Sequence, residues 1–155
     1  MYEPFMSMIV PNVFIGNEYD SQDINALRRL DIRFIVNCSN DLTHHYKGCR
    51  EPYTITYLKV PVNDDLKPRS TRRMSKLLPL VIDNMMSHLD HGILVHCHRG
   101  VQRSCAVVAA FLMRHECMTL NQAISHIKDQ RQCAFHLGCN FIKSLQLYER
   151  TVHTL

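Results

Sequence analysis

Cys97 and Arg103 stand with five residues between them, a spacing that suits the chemistry of phosphate esters. A phosphate carries oxygens on several sides and needs donors all around. His98, Arg99, Gly100, Val101 and Gln102 can curl so that their backbone N–H groups point inward. Gly100 permits the turn, being free of the steric limit on positive φ. Arg103 offers a planar fork that holds two phosphate oxygens at once. Cys97 lies at the floor of this ring, an environment that can lower a thiol pKa to roughly 3.5–7.5. A thiolate there can attack phosphorus, form a thiophosphate ester and split hydrolysis into two steps. Ser104 can donate to the sulfur as it leaves in the second step, and His96 is placed to order the loop rather than to touch substrate. His98 and Arg99 make the loop basic; they either meet a second anionic group or face solvent while their backbone binds.

The flanking chain must hold that loop. Ile93-Leu94-Val95 predicts a buried strand running into it, and Ala106 to Met113 a buried helix running out. The loop therefore sits at a helix N-terminus, where the dipole adds partial positive charge. Upstream, Ile9 to Gly16 predicts an edge strand broken by Pro11 and closed by a Gly turn. Asp23 to Leu30 predicts a short helix, Phe34 to Asn37 a buried strand, Asp41 to Pro52 a polar loop, and Tyr53 to Val60 a strand. Asn63 to Pro68 is a loop. Ser70 or Thr71 is expected to cap the next helix, which runs to about Leu89, with Pro79 kinking or dividing it. Thr119 to Gln122 matches a capping box and starts a helix to about Gln130. Gly138-Cys139-Asn140 opens a last helix with Phe141, Leu145 and Tyr148 on one side. Strands and helices alternate, so the class is α/β, a single central sheet flanked by helices. A ligand belongs at the carboxyl end of a strand, where the Cys97 loop lies.

A chain of 155 residues is expected to form one domain, residues 1–155. The longest apolar run, Cys105 to Met113, is short of the roughly 20 residues that span a bilayer, which argues against membrane insertion. No basic segment precedes an apolar one at the N-terminus, which argues against a secretory signal. Seven cysteines without regular spacing then favour reduced thiols and an intracellular, cytoplasmic or nuclear, location. The net charge of +4 suits anionic substrates without indicating nucleic acid. Lys67, Arg69, Arg72, Arg73 and Lys76 form a basic cluster that either steers an acidic ligand or is a solvated helix start. It lacks the interleaved aromatics of single-strand binding. Cys133-x-x-His136-x-x-Cys139, and His44-His45 with Cys49, are poor metal patterns because no Cys-x-x-Cys pair exists, so neither metal nor cofactor is expected. Cys38 or Cys105 is a candidate partner for a reversible disulfide with Cys97.

The segment His96 to Ser104 resembles the His-Cys-x-x-Gly-x-x-Arg-Ser signature of cysteine-dependent phosphatases. Over nearly its whole length the chain is similar to the small dual-specificity branch of that superfamily. Val10 to Gly16 resembles its opening strand, Leu30 to Asn37 its first helix-to-strand passage, and Ala110 to Arg114 the helix behind its phosphate loop. Thr119, Leu120, Ala123, Lys128 and Arg131 fit its next helix. Val60-Pro61-Val62-Asn63-Asp64 resembles its general-acid loop, which implies that Asp64 protonates the leaving group and then acts as base toward water; Asp65 is the alternative. The separation 97 − 64 = 33 is long for the family and implies one insertion. The family's Pro-Asn element before the last helix is replaced by His136-Leu137-Gly138-Cys139-Asn140. The resemblance implies a phosphoprotein phosphatase acting on phosphotyrosine and phosphoserine or phosphothreonine, with Cys97 as nucleophile and Arg103 binding phosphate. RNA 5′ ends or phosphoinositides are alternative substrates, nucleic acid being compatible but not favoured. A non-catalytic phosphoprotein binder is a further alternative, disfavoured because both Cys97 and Arg103 are present. A monomer is the default expectation.

Overall fold

The strand that leads into Cys97 is the middle of a five-stranded sheet. In the computed structural model, residues 5–48 and 53–153 are described. The strands are β1 (Ser7–Val10), β2 (Val13–Gly16), β3 (Ile32–Asn37), β4 (Thr56–Lys59) and β5 (Gly92–His96), ordered β1-β2-β5-β3-β4. β2, β3 and β4 run parallel to β5 and to one another across the sheet, and β1 pairs antiparallel with β2, so the sheet is mixed. With both neighbours parallel and both faces covered, β5 is apolar from Ile93 to Val95 and fully buried throughout. Ile93 and Val95 pack on one face and Leu94 on the other, as the strand period requires.

The helices are α1 (Ile24–Arg29), α2 (Pro68–Met86), α3 (Arg103–His115), α4 (Leu120–Gln130) and α5 (Ile142–His153). On the larger face α3 lies against the sheet with α2, α4 and α5 around it, so every residue from Ser104 to Met113 is buried. This is why α3 shows no amphipathic stripe in sequence. The other face is covered by Leu27 of α1 together with Ile55 and the partly buried Tyr46, Tyr53 and Tyr57. Arg28 and Arg33 lie over the Tyr53 ring, and burial pushes its hydroxyl up to about 12.

Four expectations are corrected. The Ile9–Gly16 segment is not one edge strand but a hairpin, turned at Pro11 and Asn12, whose second strand is interior; Asn12 takes φ +68 to make the turn. The next helix begins at Pro68, whose missing N–H costs nothing at a first turn, and neither Ser70 nor Thr71 caps it. It ends at Met86 and passes undivided through Pro79, which lies on the exposed side where water can serve the carbonyl it leaves unbonded. The last helix starts at Ile142, after Gly138-Cys139-Asn140 rather than with them. The Thr119 capping box forms as expected, and Asp23 caps α1 through Ala26 N–H. Most of the loop from Asp41 to Pro52 is described, but Cys49 and Pro52 lie outside the described residues.

Candidate active site

Cys97 leaves the carboxyl end of β5, and Gln102 is the N-cap of α3, so the loop between them closes over a helix N-terminus. Gly100 turns it at φ +68, and a Cβ there would lie 2.6 Å from Gly16 O and 2.7 Å from Arg131 Nη2. Among the described residues, the N–H groups of His98, Arg99, Val101, Gln102 and Arg103 donate to no protein acceptor. Converging unpaired donors at a helix start form an anion cradle.

The Cys97 sulfur lies at its floor, 3% exposed. It accepts from Gly100 N–H at 3.3 Å and faces Ser104 Oγ at 3.3 Å. Burial alone would raise its pKa; the Ser104 hydroxyl and N–H, the Arg103 charge and Gly100 N–H outweigh burial and hold the thiol below its ordinary value. Cys38 and Cys105 are also fully buried, and burial pushes both thiols up, so of the three only Cys97 is shifted toward its thiolate form. All described cysteines are free.

Arg103 Nη1 donates to Val62 O at 3.1 Å, while its Nε is buried with no partner among the described residues. A buried N–H of a guanidinium without an acceptor is costly, and a phosphate oxygen in the cradle would satisfy it. His96 is buried, its Nδ1 lies 3.4 Å from Cys97 O, and burial lowers its pKa to about 4, so it supports the loop as a neutral ring.

A cavity of about 210 Å³ opens above the sulfur, lined by Asp64, Cys97, Arg103, His136, Leu137 and Asn140 among others. Asp64 thus faces the cradle, and its Oδ1 accepts from Asn140 Nδ2 at 2.8 Å. Asp65 turns away: its Oδ1 accepts from Lys67 N–H and the Ser70 hydroxyl at the start of α2. Those bonds, Ser70 first, hold the Asp65 carboxyl below its usual value. His98 is held between carboxylates, 2.8 Å from Asp41 Oδ1 and 3.7 Å from Glu18 Oε2, whereas Arg99 is exposed.

Three supporting residues carry little sequence signal. Gln102 is the first: Nε2 donates to Gly138 O at 2.8 Å and His136 O at 3.3 Å, and Oε1 accepts from Asn140 N–H at 2.9 Å. It staples the 136–140 segment to the phosphate loop, and Phe135 N–H adds a bond to Val101 O at 2.9 Å. Asn140 is the second, through Asp64. Arg131 is the third: 1% exposed, it donates from Nε to Gly100 O at 2.8 Å and from Nη1 to Ser7 Oγ at 2.9 Å and Phe5 O at 3.1 Å. In the sequence Arg131 is marked only by its fit to the family's helix after the phosphate loop, which does not say what its side chain holds. The basic cluster divides around α2. Lys67, Arg69 and Arg73 line one pocket with Asn40 and Asn63, and Arg72 and Lys76 lie on the opposite side. No group of three or more metal-ligating side chains forms among the described residues, and no helix there is long and apolar enough to cross a membrane.

A cysteine sulfur with a lowered pKa beneath an anion cradle at a helix N-terminus, with an arginine on its wall, defines a cysteine-dependent phosphatase site on a central mixed sheet. Residues 13–151 match the family model described as "Dual specificity phosphatase, catalytic domain", and the chain belongs to that family. It is 29% identical over 150 residues to human dual specificity protein phosphatase 9, covering 96% of this chain and 37% of that protein. It is 27% identical over 140 residues to Drosophila melanogaster protein phosphatase Slingshot, covering 90% and 13%. The chain therefore spans well under half the length of these curated relatives. A crystal structure of a mouse putative dual specificity phosphatase complexed with zinc tungstate is 30% identical, with TM-score 0.78 over 98% of this chain and 91% of that one. Human DUSP28 is 25% identical, with TM-score 0.77 over 97% of both chains.

Proposed function

We propose that this domain hydrolyses phosphotyrosine and phosphoserine or phosphothreonine in protein substrates through a cysteinyl-phosphate intermediate. The observation that carries this is the Cys97 sulfur, lowered in pKa and facing Arg103 and Asp64 across one cavity. Cys97 attacks phosphorus, Arg103 and the loop N–H groups stabilise the equatorial oxygens, and the P–O bond to the leaving group breaks as Asp64 gives that oxygen its proton. Asp64 then takes a proton from water, which attacks the phosphocysteine; the thiolate leaves, stabilised by Ser104. The mouse relative is complexed with zinc tungstate, and tungstate is an oxyanion that is tetrahedral like phosphate, which supports oxyanion binding by this family of domains. A cavity of about 210 Å³ over the sulfur leaves room for either an alkyl or an aryl leaving group. The free thiols favour a reducing intracellular compartment. Purified protein in chelator should release phosphate from an aryl phosphate and from phosphotyrosyl and phosphothreonyl peptides, and Cys97→Ser should abolish both. Activity that survives in Cys97→Ser refutes the mechanism.

A further inference from the structure

Beside the catalytic cavity lies a second, apolar groove of about 440 Å³. Leu66, Leu137, Cys139 and Ile142 line it, with Arg72 and Lys143 at its edge. Leu137 and Asn140 belong to both, so the groove is continuous with the phosphate site. Leu66 and Leu137 are 70% and 94% exposed, although leucine gains most from burial. Both also hold a left-handed backbone, φ +61 and +63, which is unfavourable for a side chain with a Cβ. Two strained leucines aimed into water on either side of a groove mark an interaction site.

The groove continues along α2 and α5 into a shallower one of about 480 Å³, past Lys76, Leu147 and Arg150. Arg72 and Lys143 border both, and none of the residues lining either is acidic. The lining holds no aromatic ring, so it offers nothing for a base to stack on.

We infer that this track is a specificity site for the substrate segment flanking the phosphoresidue, taking an aliphatic side chain between Leu66 and Leu137 and an acidic residue against Arg72 and Lys143. The inference rests on the phosphatase reading. Continuity with the phosphate site and the one-signed charge of the rim select an acidic phosphoprotein segment as occupant.

The test uses three peptides identical around one phosphotyrosine: flanks with leucine and aspartate, with alanine replacing the leucine, and with lysine replacing the aspartates. The first should exceed the second in kcat/KM by about tenfold or more, the discrimination a buried aliphatic contact supplies. Leu66→Ala should bring that ratio close to one. Lys143→Glu should reduce or reverse the preference of the first over the third. Equal turnover of all three, with aryl phosphate still hydrolysed, overturns the groove and leaves the phosphatase reading standing. No release from any substrate overturns both. A ratio unchanged in Leu66→Ala, with the protein shifting from dimer to monomer, makes the groove a self-interface and overturns the inference. Faster release from an RNA 5′-phosphate than from any peptide does so as well.

Discussion

Asn140 offers a specific perturbation, because it touches the proposed acid and not the sulfur. Its Nδ2 donates to Asp64 Oδ1 at 2.8 Å, and its own N–H is fixed by Gln102 Oε1 at 2.9 Å. Asp64 is exposed, so that bond has the modest net value of one made in competition with water, about 1 kcal/mol. Losing 1 kcal/mol of positioning slows the step it serves by about fivefold. General acid catalysis itself contributes ~10²–10⁴, so Asn140→Ala should fall well short of Asp64→Ala. The loss must also depend on the leaving group. With phenyl phosphate, whose leaving oxygen needs a proton, kcat/KM should fall about fivefold; with p-nitrophenyl phosphate, which departs as a stable anion, it should change less than about twofold. In an Asp64→Ala background, Asn140→Ala should add nothing, since residues acting as a unit are non-additive. Phosphate release by the four proteins on the two substrates measures all of this. An equal fall on both substrates, or a full additional fall without Asp64, refutes the linkage.

Ser104→Ala should raise the Cys97 pKa, because the Ser104 hydroxyl is the largest of the effects that lower it; the midpoint of iodoacetamide alkylation against pH should move upward. His96 has its pKa depressed from 6.5 to about 4, so the unfolded state binds more protons between those values and stability falls as pH drops through that window. By pH 4 the loss is about 3 kcal/mol, and denaturant melts of His96→Gln should lack that component. Arg131→Met leaves Gly100 O and Phe5 O without their charged donor, a loss on the order of 3 kcal/mol that should lower Tm by about 6–12 °C in thermal melts.

What was legible in the chain was local. Continuous apolar runs announced β5 and α3, and the strand-loop-helix order placed the thiol at a helix start. The capping box at Thr119 is legible because its partners are three residues apart. The hairpin is not legible because Pro11 looks like a break, while the turn depends on Asn12 adopting a left-handed backbone. Asp64 and Asp65 are adjacent and chemically equal; only the start of α2 at Pro68 draws Asp65 away to Lys67 and Ser70. Gln102 and Arg131 reach partners far away in sequence, and no periodicity encodes such contacts. The replaced Pro-Asn element was visible as a departure, but its effect required the path of the backbone.

That path ties specificity to catalysis. Phe135, Leu137 and Gly138 all take positive φ, and the strain is held in place by Gln102 and the Phe135–Val101 bond. Leu66 follows Asp64 by two positions, and Leu137 precedes Asn140 by three. The two leucines of the groove therefore flank the two ends of the Asp64–Asn140 bond. If the groove is the inferred specificity site, a side chain seated between them would hold both segments in the arrangement in which the acid faces the cavity. Binding energy gained away from the phosphorus would then be used to position the acid. The preferred peptide should accordingly gain in kcat, in single-turnover measurement of phosphoenzyme formation, as well as in KM. Asn140→Ala should remove the gain in kcat while leaving the gain in KM. A preference confined to KM in the unmodified protein would make the groove a binding surface uncoupled from the acid.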